Sequence, residues 1–151
     1  MPYQFEEFLA KNNIWHEFLS KGDMKSADSA AKSAGISLGD IVKSLLFKAG
    51  NDFCLVIVQG NSKVSTKKLR KLLDEENIRL ASSEEVLAVT GFPVGAVPPI
   101  GLENKIKCII YENILTKEKV WAGGGATDRL VHLKVEDIIK YRNPIVEDIG
   151  E

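Results

Sequence analysis

Cysteine and histidine are scarce in this 151-residue chain, two of each, and they stand at no metal-ligand spacing, so no metal site is expected. His16-Glu17-Phe18-Leu19-Ser20 fails the His-Glu-x-x-His pattern at its last position. Cys54 and Cys108 each lie inside an apolar run and are expected as buried, unpaired thiols. No Gly-Lys dipeptide occurs, which excludes a P-loop. A dinucleotide fingerprint also fails, because Gly123-x-Gly125 is followed by Asp128 where a third glycine belongs; no cofactor is expected. Neither charge dominates: 20 Lys and Arg against 21 Asp and Glu leave a net charge of −1, so no global basic field advertises nucleic acid. No apolar stretch approaches membrane-spanning length, and Met1 to Glu7 lacks the basic start and apolar core of a signal peptide. The expectation is a cytoplasmic chain with no membrane partner.

What is present is ordinary globular material, 44% hydrophobic and 27% charged. The length suits a single domain, 1–151, with its core at about 14–141. Phe5, Phe8 and Leu9 recur at helical spacing, and Ile14 to Leu19 reads as a strand. Ser26 can cap a helix whose face is Ala27, Ala30, Ala31 and Ala34, with Gly35 as its stop. Ile41 to Phe47 and Phe53 to Gln59 read as an antiparallel hairpin around Gly50-Asn51-Asp52. Ser65 or Thr66 opens a basic helix, Ile78 to Ala81 returns as a strand, and Ser82 with Glu85 forms a capping box. Further strands are expected at 106–111, 119–122 and 130–133, then a helix at 135–141, with Pro144 ending order. Strands and helices do not alternate strictly, which predicts an α+β fold: one strongly twisted mixed sheet or partly closed barrel flanked by helices.

Three features carry chemistry. Lys43 shares a strand face with Ile41, Leu45 and Phe47, so it either snorkels to water or stands in a cavity needing positive charge. Gly123-Gly124-Gly125 leaves backbone N–H groups without side-chain cover, either as a flexible turn or as a cradle for an anion. Gly91 to Gly101 packs three Gly and three Pro into eleven residues, a stiff loop suited to a pocket wall or a structural corner. Gly35-Ile36-Ser37-Leu38-Gly39 matches Gly-x-Ser-x-Gly literally, but a helix precedes it and a strand follows, the reverse of a nucleophile elbow. Lys63, Lys67, Lys68, Arg70 and Lys71 form a local basic patch, a solvated face or a contact for phosphate backbone.

Together these segments resemble the YbaK family of aminoacyl-tRNA deacylases, also called the prolyl-tRNA-synthetase-associated editing domains. The resemblance spans about Ile14 to Tyr141, strongest in Gly39-Asp40-Ile41-Val42-Lys43-Ser44-Leu45, in Thr90 to Gly101, and in Ala122-Gly123-Gly124-Gly125. It implies a YbaK-like fold and a hydrolase that clears mischarged tRNA of the Cys- or Ala-tRNA(Pro) type, alone or beside a synthetase. Lys43 matches the family's essential lysine, which would hold the terminal adenosine's phosphate or the substrate carbonyl. Gly95 with Pro98 or Pro99 matches its Gly-x-x-x-Pro loop, and Gly123 to Gly125 its glycine turn. On this reading Lys43, Gly124 and Gly125 are catalytic; Ser44, Gly95, Val97, Pro98, Gly123, Thr127 and Asp128 bind substrate; and Lys63, Lys67, Lys68, Arg70 and Lys71 meet tRNA. Some relatives carry a histidine after the glycine turn where this chain has Ala126. That departure keeps an alternative open, a non-catalytic module that binds an aminoacyl or nucleotide end for a synthetase partner.

Overall fold

Capping chemistry sets many of the element ends. The Ser26 side chain accepts from the Ser29 N–H in a capping box, and Gly35 closes the same helix in the left-handed conformation. Ser82 and Glu85 form the second capping box, closed by Gly91. Two further helices end on left-handed Asp74 and Asn143. The computed structural model describes residues 2–151. Its helices are α1 (Pro2–Lys11), α2 (Ala27–Ala34), α3 (Thr66–Leu73), α4 (Ser83–Thr90) and α5 (Val135–Arg142). Its strands are β1 (His16–Leu19), β2 (Val42–Ala49), β3 (Asp52–Gln59), β4 (Ile78–Leu80), β5 (Lys107–Tyr111), β6 (Lys119–Gly123), β7 (Leu130–Lys134) and β8 (Ile145–Glu147).

The fold is α+β, but the strands form two open sheets rather than the single sheet or partly closed barrel expected. One has the order β1-β7-β6 and is antiparallel; the other, β4-β2-β3-β5-β8, is mixed. Among the described residues one parallel bridge joins them, from Ile41, just before β2, to Trp121 of β6. The ladder stops there because another segment occupies the flank of β6. The Gly125 N–H donates to Ala96 O at 2.9 Å, which seats the Ala96-Val97 backbone against the end of that strand.

Pro144 does not end order. Residues 145–147 pair parallel to β5, and proline just before a strand removes no ladder donor from it.

The main core lies between the sheets, filled by Phe5 and Leu9 of α1, Phe92 and Ile100 of the Gly-Pro loop, and Ile138 of α5. A second cluster packs Leu69 of α3 on Phe47, Val56 and Val58. A third seats the alanine face of α2 on Met24, Ile41 and Leu130, where small side chains allow close approach. Full burial of such aliphatic side chains contributes about 1.5–3 kcal/mol each.

Candidate functional site

The site follows from where the two sheets part. The Ile41–Trp121 bridge is parallel, so continuing its register two residues brings Lys43 alongside Gly123, yet no second bridge forms. A cavity of about 340 Å³ opens in the gap, with Lys43, Ser44, Gly95, Val97 and Gly123 in its wall. That volume lies in the range of small-ligand sites, roughly 300–1,000 Å³. The hairpin and the Gly123-Gly124-Gly125 segment, far apart in sequence, therefore meet at one opening.

Lys43 is half-buried. Among the described residues it enters no ion pair, whereas Lys48, Lys68 and Lys117 pair with Glu85, Asp148 and Asp40. Beside it, Ser44 Oγ is buried without a hydrogen-bond partner. A cation without a counter-ion and a hydroxyl without a partner are groups that a ligand can satisfy.

Backbone register identifies which N–H groups face the gap. The Gly124 N–H donates to Arg129 O, so Gly124 lies on the hydrogen-bonding side of the β6–β7 ladder. Alternation along an antiparallel pair then turns the polar groups of Gly123 away from β7, toward the opening. On β2, the Ala81 N–H donates to Leu46 O, so the same alternation turns the N–H of Ser44 toward the opening from the other side.

The donors expected at Gly124 and Gly125 are taken: the first serves Arg129 O and the second Ala96 O, and both residues are buried outside the cavity wall. The N–H of this glycine run that is turned toward the opening is that of Gly123.

The Gly-Pro loop supplies the opposite wall. Gly95 has φ +87°, and a Cβ on it would overlap the Lys25 carbonyl oxygen. A Cβ added to Gly123 would lie 2.5 Å from the Val97 carbonyl oxygen. Both glycines are thus required by close backbone approach. Val97 lines the cavity, while Pro98 is buried behind it and stiffens the wall without reaching the opening.

Thr127 and Asp128 are not brought to the cavity; they lie farther round the turn, Thr127 half-buried and Asp128 exposed. The basic residues are likewise outside it. Lys63, Lys67 and Lys71 are exposed and Arg70 is half-buried. Lys68 is engaged: its ammonium bonds Asp148 Oδ2 at 3.0 Å and Gly150 O at 2.7 Å, pinning the end of the chain to α3. Ser37 is exposed and makes no side-chain cap bond, and His132 stacks on Trp121 at 4.1 Å with its Nδ1 3.6 Å from Glu17.

Sequence reasoning missed the rest of the wall: Met24, Lys25 and Asp28 at the start of α2, and Leu80, Ala81 and Val86 around α4. The only sequence signal for the first group was the alanine face that lets α2 lie close. The α4 side is locked by Arg79, which donates to both Glu85 oxygens at 2.7 and 3.0 Å. Those bonds, with the Ser82 N–H, hold the Glu85 carboxyl down at about 2. Both cysteines are buried and free; burial pushes the Cys54 thiol up to about 12 and raises that of Cys108, so neither supplies a thiolate near neutrality. Among the described residues no group of three His, Cys, Asp or Glu could hold a metal ion. No helix among them is long and apolar enough to cross a membrane.

A cavity walled by two lysines that enter no ion pair among the described residues, Lys25 and Lys43, against one carboxylate, Asp28, with main-chain donors turned toward it, suits a polar, anionic ligand. The model of the aminoacyl-tRNA editing domain matches residues 21–141, and the chain belongs to that family. Its relatives include the proline–tRNA ligases of Bacillus licheniformis, 37% identical over 109 residues, and of Bacillus subtilis, 32% identical over 112. Those matches cover 72% and 74% of this chain but 19% and 20% of the ligases, so the chain spans about a fifth of their length. A crystal structure described as a candidate trans-editing enzyme for prolyl tRNA synthetase superposes with a TM-score of 0.87 at 27% identity, covering 99% of this chain and 96% of that one. The domain is thus an aminoacyl-tRNA editing domain related to those of the prolyl enzymes.

Proposed function

We propose that the domain is a trans-acting deacylase that hydrolyses the ester of mischarged tRNA, with Cys- or Ala-tRNA(Pro) as its substrate type. The observation that carries this reading is the unpaired Lys43 facing Gly123 across a cavity of ligand size. Similarity over nearly the whole length of a chain described as a candidate trans-editing enzyme supports action apart from a synthetase, and the ligase relatives supply the proline connection.

In this mechanism Lys43 holds the terminal adenosine's phosphate or the substrate carbonyl, and Ser44 Oγ gives a further hydrogen bond. A water oxygen attacks the ester carbonyl carbon. The negative charge that develops on the carbonyl oxygen meets the Gly123 and Ser44 N–H groups; one such donor contributes about 3–4 kcal/mol in acyl-transfer enzymes. The water's proton passes to the adjacent ribose hydroxyl and then to the leaving ribose oxygen, so no protein base is needed. Free amino acid and intact tRNA are the products. Lys63, Lys67 and Lys71, exposed on or beside α3, would contact phosphates of the acceptor stem without reading sequence.

Ala126 favours one rival, a binding module without turnover. Amino-acid release from mischarged tRNAs, beginning with Ala and Cys on proline tRNA, separates the two. Turnover on one or more supports the deacylase. Saturable binding with no release across the set supports the module.

A further inference from the structure

We infer that Arg129 is a positioning residue that holds the Gly123 edge and the Gly-Pro wall in register, with Glu6 of α1 as its anchor; the inference rests on the deacylase reading. Three glycines in succession have no side chains to fix their own peptides, so the geometry of this turn must be imposed from outside. Arg129 imposes it. Its carbonyl accepts from the Gly124 N–H at 3.1 Å, and its Nε donates to Gly124 O at 2.8 Å. Both polar groups of Gly124 are therefore taken by one residue.

The consequence reaches the cavity through a single peptide group. The carbonyl of Gly124 and the N–H of Gly125 belong to the same plane. Arg129 grips its oxygen, and its N–H donates to Ala96 O at 2.9 Å. That plane ties the Ala96-Val97 wall to the end of β6, two peptide groups after the N–H that faces the opening. Rotation of the plane would release the loop and turn Gly123 together.

The guanidinium is itself oriented from two sides. Its Nη1 donates to Glu6 Oε1 at 2.8 Å, and it lies over the Phe18 ring at 4.0 Å from the centroid. Phe5 of α1 backs the same turn, 3.5 Å from where a Gly125 Cβ would stand. Glu6, Phe5 and Phe18 all precede residue 21, where the match to the family model begins. The chain thus supports its site with a brace contributed by α1 and β1.

The test compares wild type with Arg129→Lys, which keeps the charge but cannot grip Gly124 O and Glu6 in one planar fork. Steady-state deacylation and amide hydrogen exchange are both read. The expected result is kcat lowered at least tenfold with KM within threefold, and Gly125 exchanging at least tenfold faster while Val56 in β3 keeps its protection. Glu6→Gln shifts both readouts in the same direction by less and adds nothing on top of Arg129→Lys, as residues acting as a unit do. Wild-type kcat and Gly125 protection in the lysine variant overturn the inference. So does loss of protection at Gly125 and Val56 in equal measure, which marks a merely structural role. If wild type hydrolyses no ester, the deacylase reading falls, and the exchange comparison alone decides whether Arg129 holds the turn.

Discussion

Lys43 and Gly123 face each other where β2 and β6 run side by side without pairing, two residues beyond the Ile41–Trp121 bridge. That separation makes the cavity, and it depends on the Val97 carbonyl lying against the bare Cα of Gly123.

Gly123→Ala should therefore disturb wall and donor together. With the new Cβ 2.5 Å from a backbone oxygen, the loop must shift, at a cost of about 1–3 kcal/mol in stability. Deacylation should fall at least tenfold. Gly39→Ala is the control, because its Cβ would meet nothing nearer than 3.6 Å, and it should stay within about 0.5 kcal/mol of wild type. Urea unfolding of both variants checks the pair; equal stability would contradict the close approach.

Ser44→Ala removes a buried hydroxyl that has no partner in the free protein. Deleting an unsatisfied group is nearly neutral for folding, whereas losing its bond to a ligand costs about 1 kcal/mol. Unfolding should show little change, and calorimetric binding of a non-hydrolysable aminoacyl-adenosine analogue should weaken about fivefold. A destabilised variant that binds normally would reverse the assignment.

Glu85 sets an acid-side stability window. Its folded-state value near 2 lies below the ordinary 4.5, so the Arg79 and Ser82 bonds contribute fully above about 4.5 and are lost as pH falls toward 2. Compared with wild type, Glu85→Gln should be less stable at pH 6, and the difference should close between pH 4.5 and 2. The effect is modest because the pair is exposed. Denaturant unfolding at pH 6, 4 and 3 measures it; a difference that stays constant with pH would contradict the coupling.

Much of this architecture was legible in local chemistry. The hairpin showed in two apolar runs around Gly50, and two helices were bounded by Ser26 with Gly35 and Ser82 with Glu85. Lys43 stood out because a lysine on an apolar strand face needs a reason. What remained hidden were relationships between distant segments. Nothing near Gly124 says that its N–H is spent on Arg129, nor does anything near Lys68 announce Asp148, eighty residues away. The strand at 145–147 was masked by Pro144, since a strand that short is specified by its neighbour β5 and not by its own pattern. The division into two sheets was equally unreadable, because it turns on where one backbone loop lies.

The most direct test of the account is the single-turnover rate of Lys43→Ala on whichever mischarged tRNA the wild type clears fastest, with folding verified by its unfolding curve. A charge-assisted contact to substrate is worth about 1.5–3 kcal/mol, so the rate constant kcat/KM should drop roughly ten- to a hundredfold with stability unchanged. A folded Lys43→Ala variant that deacylates at the wild-type rate would contradict the account.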